Sequence, residues 1–276
     1  MPPVPPPGCH DRRVTERATT VLCDLDGVVW LSHEPIDGSV AAIGRLRDAG
    51  VRVLFVTNNS ASLVAEHEGS LADIGIDAHG DVVSSSMAAA TLVEPGERVL
   101  VTGGPGVAEA VGSRGAEVVV NDGSDPDGHL DAVVVGLHRD FDYARLRAAG
   151  RAVLDGARLI GTNGDTTYPT PRGLEPGGGS LVAAVASVGG VEAVIAGKPE
   201  QPMADLVLDL VDGPDGLVMV GDRPETDGLF ATRLGCRFAL VETGVTGEGD
   251  DVGDVAVALR RADLAAVVDH LTSSGR

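Results

Sequence analysis

The sequence TVLCDLDG at residues 20–27 is the strongest indication of the fold class. It is a short apolar run that ends in Asp24, Asp26 and Gly27, and such a run is typical of a buried strand in a parallel sheet. A glycine at this position lets main-chain amides approach a ligand closely. We therefore expect a buried strand that carries two carboxylates at its C-terminal end.

Helix and strand patterns alternate after this stretch. Residues 39–49 predict a helix that ends at Gly50, residues 51–56 predict a strand, and residues 62–74 predict a second helix. The alternation indicates an α/β fold with a parallel sheet and right-handed crossovers. The pattern returns near the end of the chain, where core strands are predicted at residues 193–196, 217–220 and 238–241.

The middle of the chain has an α/β pattern of its own, so we infer a unit inserted between two halves of the first domain. Strands are predicted at residues 98–101, 132–135 and 158–160, with helices at 106–111 and 143–154 and a long loop at 161–179. The predicted division is a Pro-rich flexible tail at 1–17, a core formed by 18–83 and 188–276, and an inserted α/β unit at 84–187.

The composition excludes several classes of partner. The 276 residues contain 21 Lys and Arg against 41 Asp and Glu, a net charge of −20, whereas a nucleic-acid binder needs a basic footprint. The same charge disfavours an anionic membrane surface. Three widely spaced cysteines and an N-terminus without an apolar signal region indicate a reduced, cytoplasmic protein. A small anionic substrate stays compatible, provided that a local cation overrides the global charge.

Polar residues follow the C-terminal ends of the predicted core strands, which is where ligands bind in open α/β sheets. Four carboxylates at one edge repel each other, and a divalent cation resolves that repulsion. Because hard oxygen ligands suit Mg²⁺, we expect a magnesium site beside Lys198, and the two cations together would attract a phosphate. The candidate residues are Asp24, Asp26, Thr57, Asn58, Asn59, Lys198, Asp222 and Asp227.

Two other patterns look functional but have ordinary explanations. The pairs Asp125/Asp127 and Asp140/Asp142 repeat the Asp-x-Asp spacing, yet neither follows a predicted strand, so we expect solvated loops. The GGPG turn at residues 103–106 lacks the third glycine of a dinucleotide fingerprint, and we expect a tight turn before a helix.

Four segments occur in a recognisable order: DLDGVV at 24–29, FVTNNS at 55–60, AGKP at 196–199 and GDRPETD at 221–227. Together they resemble the four motifs of the haloacid dehalogenase (HAD) superfamily. The forms of the second and fourth segments resemble subfamily IIA, which includes p-nitrophenyl, phosphoglycolate, glycerol-phosphate and pyridoxal phosphatases. The resemblance covers about residues 19–245.

The resemblance implies a role for each motif residue. Asp24 is expected to be the nucleophile and a Mg²⁺ ligand, and it would form an aspartyl-phosphate that water hydrolyses. Asp26 is expected to be the general acid and base, with its main-chain carbonyl on the metal. Lys198 would balance the charge of nucleophile and phosphate, Asp222 would bind the metal, and Asp227 would orient the metal's ligands from behind. The implied phosphate-binding set is Asp24, Leu25, Asp26, Gly27, Thr57, Asn58, Asn59 and Lys198.

The resemblance also implies a Rossmann-like core and an inserted α/β cap of the C2 type. Asn163, Asp165 and Arg172 lie in the expected substrate loop of that cap, where ordinary loop capping is the alternative. The implied activity is a Mg²⁺-dependent phosphatase, a phosphoric monoester hydrolase of small phosphorylated metabolites such as glycerol phosphate, phosphoglycolate, sugar phosphates or p-nitrophenyl phosphate. The alternatives are a phosphotransferase or phosphomutase, and a catalytically silent binding protein. A homodimer is compatible with the cap.

Overall fold

The TVLCDLDG stretch forms a central strand of a parallel sheet, as expected. The computed structural model describes residues 18–170 and 173–273, so the predicted tail at 1–17 and Arg172 lie outside the described residues. The strands are β1 Thr20–Cys23, β2 Trp30–Leu31, β3 Glu34–Pro35, β4 Arg52–Thr57, β5 Val82–Ser84, β6 Arg98–Thr102, β7 Glu117–Val120, β8 Ala132–Val135, β9 Arg158–Gly161, β10 Thr167–Thr170, β11 Gly173–Pro176, β12 Val194–Ile195, β13 Leu217–Gly221, β14 Arg237–Val241 and β15 Leu259–Arg261. The helices are α1 Ser39–Asp48, α2 Val64–Asp73, α3 Ser85–Ala90, α4 Pro105–Ser113, α5 Tyr143–Leu154, α6 Gly178–Gly189, α7 Gln201–Leu208, α8 Leu229–Leu234 and α9 Leu264–Ser273. Within the described ranges, none of the helices is both long and apolar enough to cross a bilayer.

Two parallel sheets organise the chain. The first has six strands in the order β15-β14-β13-β1-β4-β5, and the second has five strands in the order β12-β9-β8-β6-β7. Every pairing within these two sheets is parallel, which confirms the predicted α/β class. Two short antiparallel hairpins, β2-β3 and β10-β11, complete the pairing.

Side chains of β1 are buried on both faces of the first sheet. Val21 and Cys23 pack in one apolar cluster with residues of α1 and α9, whereas Leu22 packs in a second cluster with residues of α7 and α8. A strand covered by helices on both sides reads as a continuous apolar run rather than an alternating one. This burial explains why residues 20–23 carry no polar side chain except the threonine at the start of the strand.

The strand before Lys198 does not belong to the first sheet, where the sequence pattern had placed it. β12 pairs with Ile160 and Gly161 of β9, in the second sheet. The main chain stays beside β9 through Gly197, whose N–H donates to Thr162 O at 2.8 Å. The expectation of a core strand at residues 193–196 is therefore wrong, because an apolar run predicts a strand but not the sheet that the strand joins.

Several elements escaped prediction. The expected loop at residues 161–179 contains the β10-β11 hairpin and the start of α6, and β5, β7 and β15 were not predicted. β5, β7 and β15 each lie at an edge of a sheet. β5 and β15 have only three residues each, too few to show a strand pattern, and β7 is a run of three valines after Glu117 that is too short to tell strand from helix.

The GGPG turn at residues 103–106 is the start of α4, as expected, with Gly104 as N-cap and Pro105 in the first turn. The turn packs against the chain that follows β4. Gly106 N donates to Ala61 O at 3.1 Å, and a Cβ on Gly106 would lie 2.0 Å from Ser62 O. The glycines therefore let the helix that follows β6 of the second sheet touch the backbone that follows β4 of the first.

We predict that Gly106→Ala destabilises the protein by about 1–3 kcal/mol, because the new methyl group must displace backbone atoms. The matched control is Gly112→Ala in the same helix, where the nearest atom to the new Cβ is Val118 Cγ2 at 3.6 Å. That control should gain up to about 1 kcal/mol from helix propensity. Denaturant unfolding measures both, and equal effects of the two variants would contradict the packing described for the turn.

Candidate active site

The C-terminal ends of the first sheet's strands bring the predicted carboxylates together. Asp24 follows β1 and Asp222 follows β13, and Asp24 N donates to Val220 O at 2.9 Å. Thr57 is the last residue of the neighbouring β4. Because these strands are parallel and adjacent, one edge of the sheet collects all three residues.

Lys198 lies between two of the aspartates. Its Nζ is 2.9 Å from Asp24 Oδ1 and 2.7 Å from Asp227 Oδ1, and the side chain is 1% exposed. Burial on its own would lower the pKa of Lys198, but Asp227 and Asp24 outweigh burial and raise the pKa above its ordinary value. The ammonium is therefore charged, and it is held by two carboxylates in an almost dry setting.

Three carboxylates form a compact acidic cluster, Asp24, Asp222 and Asp227, with oxygens that lie within 4.8 Å of one another. Burial, reinforced by Asp227 and Asp24, raises the pKa of Asp222 to about 7. Burial also raises the pKa of Asp227 to about 6, with Asp24 adding to the shift and Lys198 opposing it. One ammonium does not neutralise three carboxylates, so the cluster retains excess negative charge at neutral pH.

The backbone is packed closely around Asp222. Gly27 has a φ of +85°, and a Cβ on Gly27 would lie 2.6 Å from Asp222 Oδ2. A Cβ on Gly244 would lie 2.0 Å from the same oxygen, and Val245 N donates to it at 2.6 Å. Only glycine fits at these two approaches, which fixes the Asp222 carboxylate in one orientation.

The second carboxylate oxygen of Asp222 is a candidate ligand for a cation. Asp222 Oδ1 is buried and has no hydrogen-bond partner among the described residues. A buried acceptor without a partner is costly, and a cluster of three carboxylates lacks the His and Cys ligands of softer metals. The donor set therefore fits a hard divalent cation such as Mg²⁺.

Asp26 lies beside this cluster, and its side chain is not part of it. Trp30 Nε1 donates to Asp26 Oδ1 at 3.1 Å, and Trp30 itself is 1% exposed. Burial, together with the charge of Asp24, raises the pKa of Asp26 to about 6, although the indole donor favours the ionised form. A carboxyl with this pKa exchanges a proton close to neutral pH, as a general acid and base must.

The Thr57-Asn58-Asn59 loop is held by its own hydrogen bonds. Thr57 Oγ1 accepts from Asn59 N at 3.0 Å, and Asn59 Oδ1 accepts from Ala61 N at 3.1 Å. The side chain of Asn59 thus shapes the turn. Leu25 is a core residue, 1% exposed, so that only its main chain can face a ligand.

Asn163 and Asp165 of the expected substrate loop reach the site, and Arg172 lies outside the described residues. Asn163 Nδ2 donates to Asn58 O at 2.8 Å, and Asp165 Oδ2 accepts from Asn58 Nδ2 at 3.0 Å. Burial raises the pKa of Asp165, against the opposing effect of the Asn58 hydrogen bond. Asn163 also serves as a loop cap, because its Oδ1 accepts from Asp165 N at 3.1 Å.

The other aspartate pairs have structural partners. Asp125 lies near Arg147 and Arg151, and Asp142 accepts from Arg145 N at the start of α5. Neither pair joins the acidic cluster, in agreement with the expectation of loop residues.

Sequence reasoning missed three contributors to the site. They are Trp30, which holds Asp26, Ser85, which donates to Asn58 O at 2.7 Å, and the segment 243–245, which encloses Asp222. The last could have been found, since it follows the predicted strand at 238–241 and strand ends of a parallel sheet share one edge. The first two carry no such signal, because they depend on where a hairpin and a short helix fold back.

Comparisons with known proteins identify the family of the chain. The family description "haloacid dehalogenase-like hydrolase" matches residues 21–117, and "HAD-hydrolase-like" matches residues 195–273. An acid sugar phosphatase of Staphylococcus saprophyticus is 36% identical over 230 residues, which are 82% of this chain and 86% of the relative.

Solved structures share the fold. The p-nitrophenyl phosphatase from Archaeoglobus fulgidus superposes with a TM-score of 0.83 at 27% identity, over 92% of this chain and 99% of that one. A glycerol phosphate phosphatase from Mycobacterium tuberculosis, in complex with magnesium, superposes with a TM-score of 0.80 at 32% identity, over 94% of this chain and 78% of that one. The chain therefore belongs to the haloacid dehalogenase-like hydrolases, as its four motifs predict.

Proposed function

We propose that this protein, a phosphatase of the HAD-like hydrolases, removes phosphate from small phosphorylated metabolites through an aspartyl-phosphate on Asp24. One observation carries the proposal: the Asp24 carboxylate lies at the sheet edge with Oδ1 held by the buried ammonium of Lys198. A carboxylate that attacks a phosphate dianion meets like-charge repulsion, and a fixed cation beside it reduces that repulsion.

In the first step, an oxygen of Asp24 attacks phosphorus and the bond from phosphorus to the ester oxygen breaks. Because Lys198 holds Oδ1, we assign the attack to Oδ2. The leaving alkoxide takes a proton from Asp26, whose pKa of about 6 leaves part of the population protonated near neutral pH. Two steps through a covalent intermediate replace one slow displacement by water.

In the second step, water attacks phosphorus and the bond to Asp24 breaks, which releases inorganic phosphate. Asp26, now ionised, takes the proton of that water and returns to its starting state. The indole N–H of Trp30 holds one carboxylate oxygen in place throughout, so that a single oxygen of Asp26 exchanges the proton. Atoms and protons balance over the two steps.

Asp24 and Asp222, with the main-chain carbonyl of Asp26, are the proposed ligands of Mg²⁺, and Asp227 orients them through Lys198. When bound, the cation neutralises charge on the carboxylates and on the phosphoryl oxygens. Thr57, the Asn58 N–H and the main chain of residues 25–27 are the proposed contacts of the phosphoryl group, together with Lys198. Asn59 supports them by shaping the turn.

The second sheet and its helices are the proposed cap, and the predicted bounds 84–187 contain every strand of that sheet except β12. Its loop with Asn163, Asp165 and Arg172 would cover the site, exclude bulk water and face the leaving group. The relatives described above are named for sugar phosphates, glycerol phosphate and p-nitrophenyl phosphate, and we propose substrates of this size for the present chain.

The partners and the cellular location expected from the sequence are also proposals. The net charge of −20 favours a small dissolved substrate over nucleic acid or an anionic membrane. The widely spaced cysteines suit the reduced cytoplasm, and burial raises the pKa of Cys23, so that its thiol is unreactive. A homodimer through the cap is likewise a proposal, and sedimentation velocity tests it.

We predict Mg²⁺-dependent release of phosphate from a panel of small esters, with loss of turnover in EDTA. Asp24→Asn should lower kcat by about 10³-fold or more, because the nucleophile is lost. The exposed Asp254→Asn is the control and should retain activity. Turnover by Asp24→Asn at the wild-type rate, or no turnover of any ester by the folded protein with Mg²⁺, would contradict the proposal.

We predict that Mg²⁺ raises the melting temperature more at about pH 8 than at about pH 5. Burial raises the pKa of Asp222 from its ordinary value of 3.8 to about 7 in the folded protein, so the metal-free protein loses stability as the pH rises from about 4 to about 7. Bound Mg²⁺ offsets this loss of stability by neutralising the ionised carboxylates. Below about pH 6 the cation must first displace protons from the carboxylates, so it stabilises the protein less. Asp222→Asn should abolish most of the Mg²⁺ effect, whereas Asp254→Asn should not; an equal effect at both pH values would count against the metal site.

We predict that Trp30→Phe moves the basic limb of the kcat/KM profile for an alkyl phosphate to higher pH. The indole N–H favours the ionised carboxylate, so its removal raises the pKa of Asp26 and keeps the acid protonated longer. The shift should be about half a pH unit to one pH unit. p-Nitrophenyl phosphate is the internal control, because its leaving group needs little protonation; a shift to lower pH would refute the assignment.

A further inference from the structure

The side-chain amide of Asn58 is committed to the protein. Its Oδ1 accepts from Lys198 N at 2.9 Å, and its Nδ2 donates to Lys198 O and to Asp165 Oδ2, both at 3.0 Å. An asparagine amide has two N–H donors, and both are used. The spare lone pair on Oδ1 is an acceptor, as are phosphoryl oxygens, so the side chain of Asn58 has nothing left with which to hold a phosphate.

These bonds fix Lys198 from two sides. Asn58 binds both the main-chain N–H and the carbonyl of Lys198. The ammonium of Lys198 lies between Asp24 and Asp227. A rotation of the Asn58 amide would release both main-chain bonds at once. The orientation of the Asn58 amide thus fixes the main-chain position of Lys198. That position determines whether the Lys198 ammonium reaches Asp24.

The orientation of Asn58 is itself set from the segment that follows β9 of the second sheet. Asp165 accepts the second N–H of the amide, while Asn163 donates to the carbonyl of Asn58 at 2.8 Å. Asp165 is tied to Asn163 by its own N–H, at 3.1 Å from Asn163 Oδ1. Asp165 and Asn163 therefore hydrogen-bond to the side chain and the main chain of Asn58, respectively.

We propose that Asp165 is a positioning residue of the reaction: it holds the Asn58 amide, which holds Lys198, which holds the Asp24 nucleophile. This inference rests on the proposed function, and it differs from a role in recognising the leaving group. A residue that acts on the nucleophile affects every ester equally, whereas a residue that contacts the leaving group affects esters differently. The cap sequence thus supplies part of the core's catalytic geometry.

The first test compares Asp165→Ala with Asp165→Asn on p-nitrophenyl phosphate and on glycerol 3-phosphate. We expect Asp165→Ala to lower kcat by about tenfold to a hundredfold on both esters, with KM little changed, because a buried donor loses its acceptor. Asp165→Asn keeps an acceptor oxygen for Asn58 and should retain most of the activity. Asp140 is an exposed aspartate between β8 and α5, and Asp140→Ala is the control that should behave as wild type.

The contrary results are distinct. A rise in KM, a loss confined to one ester, wild-type kcat in Asp165→Ala, or an inactive Asp165→Asn would each overturn the positioning role. If Asp165→Ala does not fold, as judged by thermal unfolding, the Asp165→Asn result alone decides between a hydrogen-bond acceptor and a required charge. Failure of the wild-type protein to hydrolyse any ester would refute the proposed function and would be recognised before any variant is made.

The second test is a double-mutant cycle. If Asp165 acts only through Asn58, the Asn58→Ala/Asp165→Ala variant should lose no more kcat than Asn58→Ala alone, so the two losses are strongly non-additive. Losses that multiply would show that the two residues act independently and would overturn the inference.

Discussion

Electrostatic repulsion among Asp24, Asp222 and Asp227 governs what the site can bind. Their oxygens lie within 4.8 Å of one another at one edge of the sheet, and a single buried ammonium, that of Lys198, offsets part of their charge. The remaining negative charge attracts a divalent cation. The bound cation would in turn attract a phosphate. An acidic protein thereby gains a local site for an anion.

The fold supplies this arrangement by bringing strand ends together. β1, β4 and β13 are adjacent and parallel, so three segments far apart in the sequence deliver polar residues to one edge. β1 is buried on both faces, and the close approach of Gly27 and Gly244 fixes the Asp222 carboxylate. The segment after β9 adds a further layer through Asn163 and Asp165, which bind the loop after β4.

Much of this was predictable from the sequence, because the α/β class, the strands that end at Asp24 and Thr57 and the convergence of the acidic residues follow from local patterns. The sheet joined by β12 was not, since two residues at an edge carry no information about their partner strand. Trp30 escaped prediction for a similar reason: its indole reaches Asp26 only after the chain turns back at Gly27. Asn58 was expected to bind phosphate, and hydrogen bonds that span more than a hundred residues of sequence occupy its side chain, which leaves its main-chain N–H for that proposed role.

Asp24 becomes covalently phosphorylated in the mechanism that we propose. Its most direct test is to mix the Mg²⁺-loaded enzyme with p-nitrophenyl phosphate, quench in acid within one turnover, digest, and locate any added phosphoryl group by mass spectrometry. We expect one phosphoryl group on the peptide that contains Asp24, and its loss on treatment with hydroxylamine, which cleaves acyl phosphates. Rapid turnover with no phosphorylated peptide at any quench time, or a phosphoryl group on another residue, would contradict it.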